Sequence, residues 1–406
     1  MKRFAARCGV TRLADITGLD RIGIPTYSAV VPKSLDYLSV YNGKGALRED
    51  AKAGALMEAI ERQVTLYARP PVVTGSYPEV SAATAAIDPA DVYQQLRAGY
   101  TPGDAIEWVE GRDLFSGSSV LVPAKLAGYL WHHLPHRGPF RHATSHGLAS
   151  GNCLEEAVAH ALCEWIERDS WTLAELKSHW LPWARTEAAH GLEAARRGWD
   201  DLESYPCLDL TGIGEPVAGL LRRFRNAGLP VVTRDITSDL GIPTVLAAAA
   251  EDNVPGFPQA HFGLGSHPDI RTAVARALSE LAQSRCVDIQ GVREDITAPD
   301  DEASIAIHTR RVARIDRRSW INAPSATLRS WKEVPTCWNG DILDDIRLML
   351  ERLHAAGIRR AAMVDFSLPD EGIYVARVVV PGMESWAVDH GRIGWRATMF
   401  WRSCAA

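Results

Sequence analysis

The chain lacks the features by which several protein classes declare themselves. No apolar run approaches the roughly 18 residues that a membrane-spanning helix needs, and the start, Met1-Lys-Arg-Phe-Ala-Ala-Arg-Cys8, has no apolar stretch of a signal peptide. A cytoplasmic location and no membrane partner follow as expectations. Positive charge is not in excess: 44 Lys and Arg stand against 50 Asp and Glu, which gives no support for general nucleic-acid binding. The seven cysteines (Cys8, Cys153, Cys163, Cys207, Cys286, Cys337, Cys404) are scattered and contain no Cys-x-x-Cys pair, so they read as reduced, mostly structural thiols. The Gly-x-Gly of Gly263-Leu-Gly-Ser-His267 lacks the Lys-Ser/Thr of a phosphate loop. There is no repeat of solenoid period and no low-complexity linker. With 46% hydrophobic and 23% charged residues, the composition is that of an ordinary soluble globular protein, and 406 residues are enough for one large domain or two to three ordinary ones.

What is present is one device used twice, Glu-x-x-Glu-Arg at the polar edge of an apolar helix: Glu58, Glu61, Arg62 and then Glu164, Glu167, Arg168. A third helix offers Arg276, Glu280 and Gln283. Spacings of three and four put each set on one side of its helix. Between them lie core positions such as Leu56, Ile60, Leu162, Trp165, Leu278 and Leu281. Carboxylates held beside a core on several helices repel one another and resist desolvation unless a cation lies among them. A hard divalent cation with bound phosphate fits that gap. The spacing therefore points to a magnesium-nucleotide site built from helix faces, and three sets so far apart in sequence require most of the chain to fold together.

The rest of the chain reads as mixed α and β structure. Residues 1–45 suggest short strands and turns leading to Tyr41-Asn-Gly-Lys-Gly45, followed by a helix from Leu47 to Tyr67. Ser145-His-Gly-Leu-Ala-Ser-Gly-Asn152 reads as a glycine-rich turn opening into a helix over 154–171, where backbone amides could face an anion. Gly263–His267 reads as a second such turn, before a helix over 269–287. Trp171, Trp180, Trp183 and Trp199 read as packing residues. His132, His133, His136 and His142 read as loop histidines rather than metal ligands, with His146 set apart by its place in the glycine-rich phrase. A helix over 217–228 and strands over 229–235 and 243–249 suggest an α/β layer, and the tail offers a helix over 341–356 and strands over 361–365 and 373–380.

At these residues the chain resembles the YcaO family of ATP-dependent enzymes that modify peptide backbones. The phrases are Ala51-Lys-Ala-Gly-Ala-Leu-Met-Glu-Ala-Ile-Glu-Arg62; Gly147-Leu-Ala-Ser-Gly-Asn-Cys-Leu-Glu-Glu-Ala157 with Glu164-Trp-Ile-Glu-Arg-Asp169; and Arg276-Ala-Leu-Ser-Glu-Leu-Ala-Gln-Ser-Arg285 with Gly291-Val-Arg-Glu-Asp295. The resemblance runs from about Arg12 to Ala397 and departs at Gly54, where the family usually has serine, and at His146, where asparagine is frequent. It implies an α/β (α+β) fold of mixed sheets and helices around a central ATP and Mg2+ site. It implies Glu58, Glu61, Glu156, Glu164 and Glu167 as metal or nucleotide ligands, with Glu280 added to them, and Asn152, Arg62, Arg168, Gln283, Arg285 and Arg276 as contacts to phosphate or nucleoside. It implies also a peptide or protein substrate and a homodimer.

Within the resemblance the product stays open between two outcomes. Azoline-forming members, in which a substrate Cys, Ser or Thr attacks the preceding amide, commonly end in a proline-rich tail. This chain ends Trp401-Arg-Ser-Cys-Ala-Ala406, and Arg377-Val-Val-Val-Pro-Gly-Met-Glu-Ser-Trp386 is similar to members partnered with TfuA. The expected reaction is therefore thioamide formation with an external sulfur donor and a TfuA-type partner. Azoline formation, a non-catalytic peptide-binding partner and a generic amide ligase are the other readings of the same phosphate site.

Overall fold

The computed structural model describes residues 2–34, 39–66, 72–92, 100–128, 145–195, 200–251, 259–291, 319–389 and 393–405. Its strands are β1 (Arg12–Asp15), β2 (Thr26–Val30), β3 (Val40–Lys44), β4 (Val73–Gly75), β5 (Ile106–Asp113), β6 (Ser119–Pro123) and β7 (Leu148–Gly151). Then come β8 (Cys207–Asp209), β9 (Val232–Asp235), β10 (Thr244–Glu251), β11 (Gln259–Ser266), β12 (Leu328–Ser330), β13 (Ala362–Asp365) and β14 (Tyr374–Val379). They form three sheets, ordered β1-β2-β3, β11-β10-β9-β8-β12 and β4-β5-β13-β14-β7 with β6 beside β5. Among the described strands only β8 and β12 pair in parallel. The α/β layer expected over 217–249 is thus a helix followed by antiparallel strands, and the fold is α+β in its connections.

The helices are α1 (Lys2–Arg7), α2 (Arg48–Leu66), α3 (Tyr77–Ala83), α4 (Ala124–Ala127), α5 (Leu154–Glu175), α6 (Leu181–His190) and α7 (Leu192–Ala195), with a π-helical stretch Leu176–Trp180 joining α5 to α6. They continue with α8 (Val217–Asn226), α9 (Ile270–Gly291), α10 (Ile342–Ala355), α11 (Trp386–Asp389) and α12 (Trp395–Ala405). No described helix is long and apolar enough to cross a membrane. The core faces of the motif helices fall where the periodicity puts them. Leu56 and Ile60 of α2 pack with Val109, Val364 and Val375; Leu162, Trp165 and Ile166 of α5 pack with Met349, Met363 and Val378; Val274, Leu278 and Leu281 of α9 pack with Val245 and Ala247.

Each motif helix is laid against a strand at the end of a sheet: α2 on β3, α5 after β7, α9 on β11. Glycine permits this. A Cβ on Gly43 would meet the carbonyl oxygen of Ala51 at 2.1 Å, and one on Gly263 would meet Leu281 N at 2.2 Å, so strand and helix backbones touch directly. The glycine-rich phrases expected to be turns are borne out only at Ser145–Leu148, where the Leu148 amide donates to the Ser145 carbonyl at 2.9 Å and Gly147 has φ 73°. Leu148–Gly151 and Gly263–Ser266 are strand, because their glycines serve close backbone packing rather than chain reversal. The expectation of short strands at the start missed α1. His132, His133, His136, His142, Trp199 and Val292–Asp295 lie outside the described residues.

Candidate functional site

On α2, Glu58 Oε2 accepts the Asn42 amide of β3 at 3.1 Å, and its Oε1 lies 3.9 Å from Arg62 Nη2. On α5, Glu164 Oε2 accepts the Gly147 amide at 3.0 Å, and its Oε1 lies 3.5 Å from Arg168 Nη2. On α9, Glu280 Oε1 accepts the Leu264 amide of β11 at 3.3 Å while its Oε2 is ion-paired to Lys44. The same pattern therefore appears three times: a motif glutamate takes a backbone N–H from an end strand, or from the turn leading into one, with one oxygen and faces a cation with the other. Unpaired edge amides are costly when water is excluded. The three carboxylates cap them and tie three sheets to three helices.

The remaining two glutamates are held differently. Glu61 takes a hydrogen bond from Ser150 of β7 and lies near Glu58 on its own helix and Glu164 on α5. Desolvation pushes its pKa up to about 8, against Arg62 and with help from those two carboxylates. Buried Glu167 lies 3.7 Å from Arg168 Nη1 and is pushed up to about 7, again first by burial, with Arg168 opposing and Glu280 adding to the rise. Glu280 stays below the ordinary range, because Lys44 and Arg168 outweigh its burial. Glu58, Glu61, Glu164, Glu167 and Glu280 thus form a continuous run of carboxylates across α2, α5 and α9, with negative charge in excess at its middle.

The other expected residues divide. Arg276 lies between α5 and α9, where its charge lowers both Glu167 and His160. Gln283 donates to the Asn42 carbonyl at 3.4 Å, and its buried Oε1 has no hydrogen-bond partner. Glu156 accepts from both the backbone and side-chain nitrogens of Asn152 at 2.8 Å. That pair stands at the start of α5, about 12 Å along the axis from Glu164 at ordinary helix rise. Arg285 is buried and ion-paired to Asp20 at 2.9 Å and Glu251 at 2.8 Å, away from the motif glutamates, and its Nη1 has no hydrogen-bond partner. His146 is buried edge-on to Trp165, 6.2 Å between centroids. Burial and the charges of Arg168, Arg377 and Arg62 keep it neutral.

Three participants were missed from the sequence: Asn42, Lys44 and Ser150. Tyr41-Asn-Gly-Lys-Gly45 carried the usable signal, a lysine in a glycine-rich strand directly before a motif helix. Ser150 gave none.

The residue chemistry fits a magnesium nucleotide. Burial raises the pKa values of Glu61 and Glu167 above all else, with neighbouring carboxylates adding to the rise, and a cation bound between them would favour their ionised forms. Buried Arg168 Nε and Gln283 Oε1 have no hydrogen-bond partner and match a phosphate oxygen and a hydroxyl or amine. Among the described residues no three His, Cys, Asp or Glu side chains converge into a preformed cage. Mg2+ needs none, since it keeps waters and takes one or two carboxylates plus phosphate.

The family model described as YcaO cyclodehydratase, ATP- and Mg2+-binding, matches residues 42–384. An uncharacterized protein of Methanothermobacter thermautotrophicus is 35% identical over 398 residues, 96% of this chain and 93% of the relative. A protein of Rhizobium leguminosarum bv. trifolii, named only as uncharacterized in the tfuA 3' region, is 32% identical over 93% of this chain and 84% of its own. Among solved structures, a YcaO from Methanopyrus kandleri bound with AMPPCP and Mg2+ superposes with TM-score 0.68 at 24% identity, over 97% of this chain and 91% of that one. A heterocyclase in complex with substrate and cofactor gives TM-score 0.71 at 22% identity over 92% of this chain, which spans half of that protein's length. The likeness to both structures is one of fold.

Proposed function

The chain belongs to the YcaO family, and we propose that it uses ATP and Mg2+ to activate a backbone amide of a peptide or protein substrate, with sulfide as nucleophile and a thioamide as product. The carboxylate run across α2, α5 and α9 carries the reading, because phosphoryl transfer asks for positioned cations and donors rather than a protein nucleophile. Glu61 and Glu167 are its open ligands for Mg2+, with Glu58, Glu164 and Glu280 lending the oxygens that now face Arg62, Arg168 and Lys44. Arg62, Arg168, Arg276 and Gln283 receive phosphate and nucleoside, and Glu156 with Asn152 extends the site along α5.

When bound, the magnesium nucleotide supplies a phosphoryl group to the oxygen of the attacked amide, converting it to a leaving group. The chain holds the reacting groups in line, excludes water behind the buried faces of α5 and α9, and neutralises developing charge with its arginines. Overall, amide, hydrosulfide and ATP become thioamide, ADP and phosphate. The relative in the tfuA 3' region favours this product and a TfuA-type partner; the heterocyclase neighbour favours a second reading, azoline formation by a Cys, Ser or Thr of the substrate. The proposed assembly is one catalytic unit per chain in a homodimer.

The test is phosphate release from ATP and Mg2+ with candidate peptides, sulfide and a TfuA-type partner, with product mass read from the same reactions. A product heavier by one oxygen-to-sulfur exchange is expected. One lighter by a water replaces thioamidation with cyclodehydration, and ATP binding without turnover under every condition overturns the enzymatic reading.

A further inference from the structure

We propose that a cavity on the far flank of α2 from the carboxylate run is a docking site for a peptide segment that pairs an apolar side chain with a carboxylate. The choice of a peptide rests on the backbone-modifying reading above, whereas the cavity stands apart from the nucleotide site. It encloses about 630 Å3 between α1, the chain just after β2, the second half of α2 and the β13–β14 hairpin, within the size range of small-ligand pockets. Gln63 lines it and lies about 200° around α2 from Glu61 at ordinary helix pitch. The cavity and the carboxylates are therefore on different sides of one helix.

Three kinds of group converge there. Phe4, Val31 and Phe366 are buried and form apolar walls, so a side chain entering between them loses water without the protein having to order its own. Gln63 spends one amide N–H on Ser34 Oγ at 2.9 Å, and Ser34 is bonded on to the Tyr41 hydroxyl at 3.0 Å. An amide held in this way can offer an acceptor and a second donor to a peptide backbone. Arg7 and Lys33 supply positive charge. Arg7 is already matched, being paired with Glu371 and lying over the Phe4 ring. Lys33 is exposed and forms no ion pair among the described residues. It is also the one described residue other than glycine with a positive φ, 57°, an uncommon backbone state that clusters where ligands are clamped. An unmatched cation beside an apolar cavity, in a chain of net charge -6, selects a carboxylate carried on an apolar segment.

The experiment is ligand-observed NMR titration of the full chain with four probes: acetyl-Leu-Leu-Glu-amide, acetyl-Leu-Leu-Gln-amide, acetyl-Gly-Gly-Glu-amide, and acetyl-Leu-Leu with a free terminal carboxylate. Wild type, Lys33→Met, Lys33→Arg and Val64→Phe are compared, each melted beforehand. Wild type is expected to bind one or both Leu-Leu carboxylates about two- to fivefold more tightly than the Gln probe, the size of an exposed ion pair. Which of the two binds better tells a side-chain carboxylate from a chain end. Lys33→Met should erase the preference and Lys33→Arg keep it. The Gly-Gly-Glu probe should bind several-fold more weakly, and Val64→Phe, which fills the cavity, should weaken every Leu-Leu probe. If Val64→Phe does not fold, the Lys33 variants decide by themselves. A non-hydrolysable ATP analogue with Mg2+ should leave probe affinity unchanged. Absence of a carboxylate preference, a preference that survives in Lys33→Met, or competition by the analogue overturns the inference. Wild type that binds the analogue but no probe overturns this inference alone, and wild type that binds probes but no analogue overturns the ATP reading alone.

Discussion

Two neighbouring regions of α5 use the same residue types to opposite ends. At Glu164, Glu167 and Arg168 two carboxylates share one arginine, and burial pushes Glu167 up to about 7, as it also raises Asp169 beyond. One residue later, Asp169 is met by Arg396 Nε at 3.0 Å, Arg396 Nη2 at 2.8 Å and the Glu384 amide at 3.1 Å. Arg396 reaches on to Asp239, and Glu384 accepts the Gly394 and Ala397 amides at 3.0 and 2.9 Å. Every oxygen of Asp169 and Glu384 is matched there, which makes a lock between α5 and α12. The carboxylate run is instead left with charge to share. A buried cluster of charges therefore tells little by its composition; the balance of donors and acceptors separates a lock from a site.

The sharpest way to break this comparison is to neutralise one group in each region. Glu164→Gln with Glu167→Gln should abolish peptide-dependent phosphate release, a fall of a thousandfold or more on the order of the loss of placed charge in an active site, while the melting temperature holds or rises. Arg396→Met should do the reverse, destabilising the fold by about 3–5 kcal/mol because Asp169 is left buried and unmatched; denaturant unfolding measures it. Equal stability losses in both variants would erase the distinction.

A smaller effect follows from pH. Glu61 and Glu167 have folded-state pKa values of about 8 and about 7, above the ordinary carboxylate value of about 4.3. The folded state thus binds more protons than the unfolded one, so their contribution to stability is full below pH ~4 and is lost as pH rises through 7 and 8. Cation binding requires the ionised forms, so Mg2+ stabilisation should grow over the same window. Thermal melts with and without Mg2+ from pH 6 to 9 should diverge; parallel curves would contradict the raised values. The smallest effect is expected at Gly54, where a Cβ would stand 3.4 Å from Gly43 Cα, an ordinary contact. Gly54→Ser should fold normally and change stability by less than about 1 kcal/mol, whereas Gly43→Ala, with 2.1 Å to two backbone atoms, should cost several times more.

Much of the fold was legible because periodicity reports core faces: α2, α5 and α9 lie within a few residues of the expected helices, and the glutamates of Glu-x-x-Glu-Arg do meet. What stayed hidden depended on partners distant in sequence. Arg285 shares a helix with Glu280 and Gln283, yet Asp20 and Glu251, 265 and 34 residues away, claim it. Asn42 and Lys44 drew no role from the sequence, because their partners Glu58, Gln283 and Glu280 lie on helices that only the fold brings to β3. The glycine-rich phrases were legible only in part, since glycine marks both chain reversal, as at Gly147, and close packing, as at Gly263.

The most direct test of the carboxylate run as a magnesium-nucleotide site is calorimetric titration of a non-hydrolysable ATP analogue with Mg2+ at pH 7, in two buffers of different protonation enthalpy. Wild type should bind and release protons, and Glu61→Gln with Glu167→Gln should lose both the proton release and most of the affinity. Unchanged binding in that double variant, or no binding by wild type, would contradict the account.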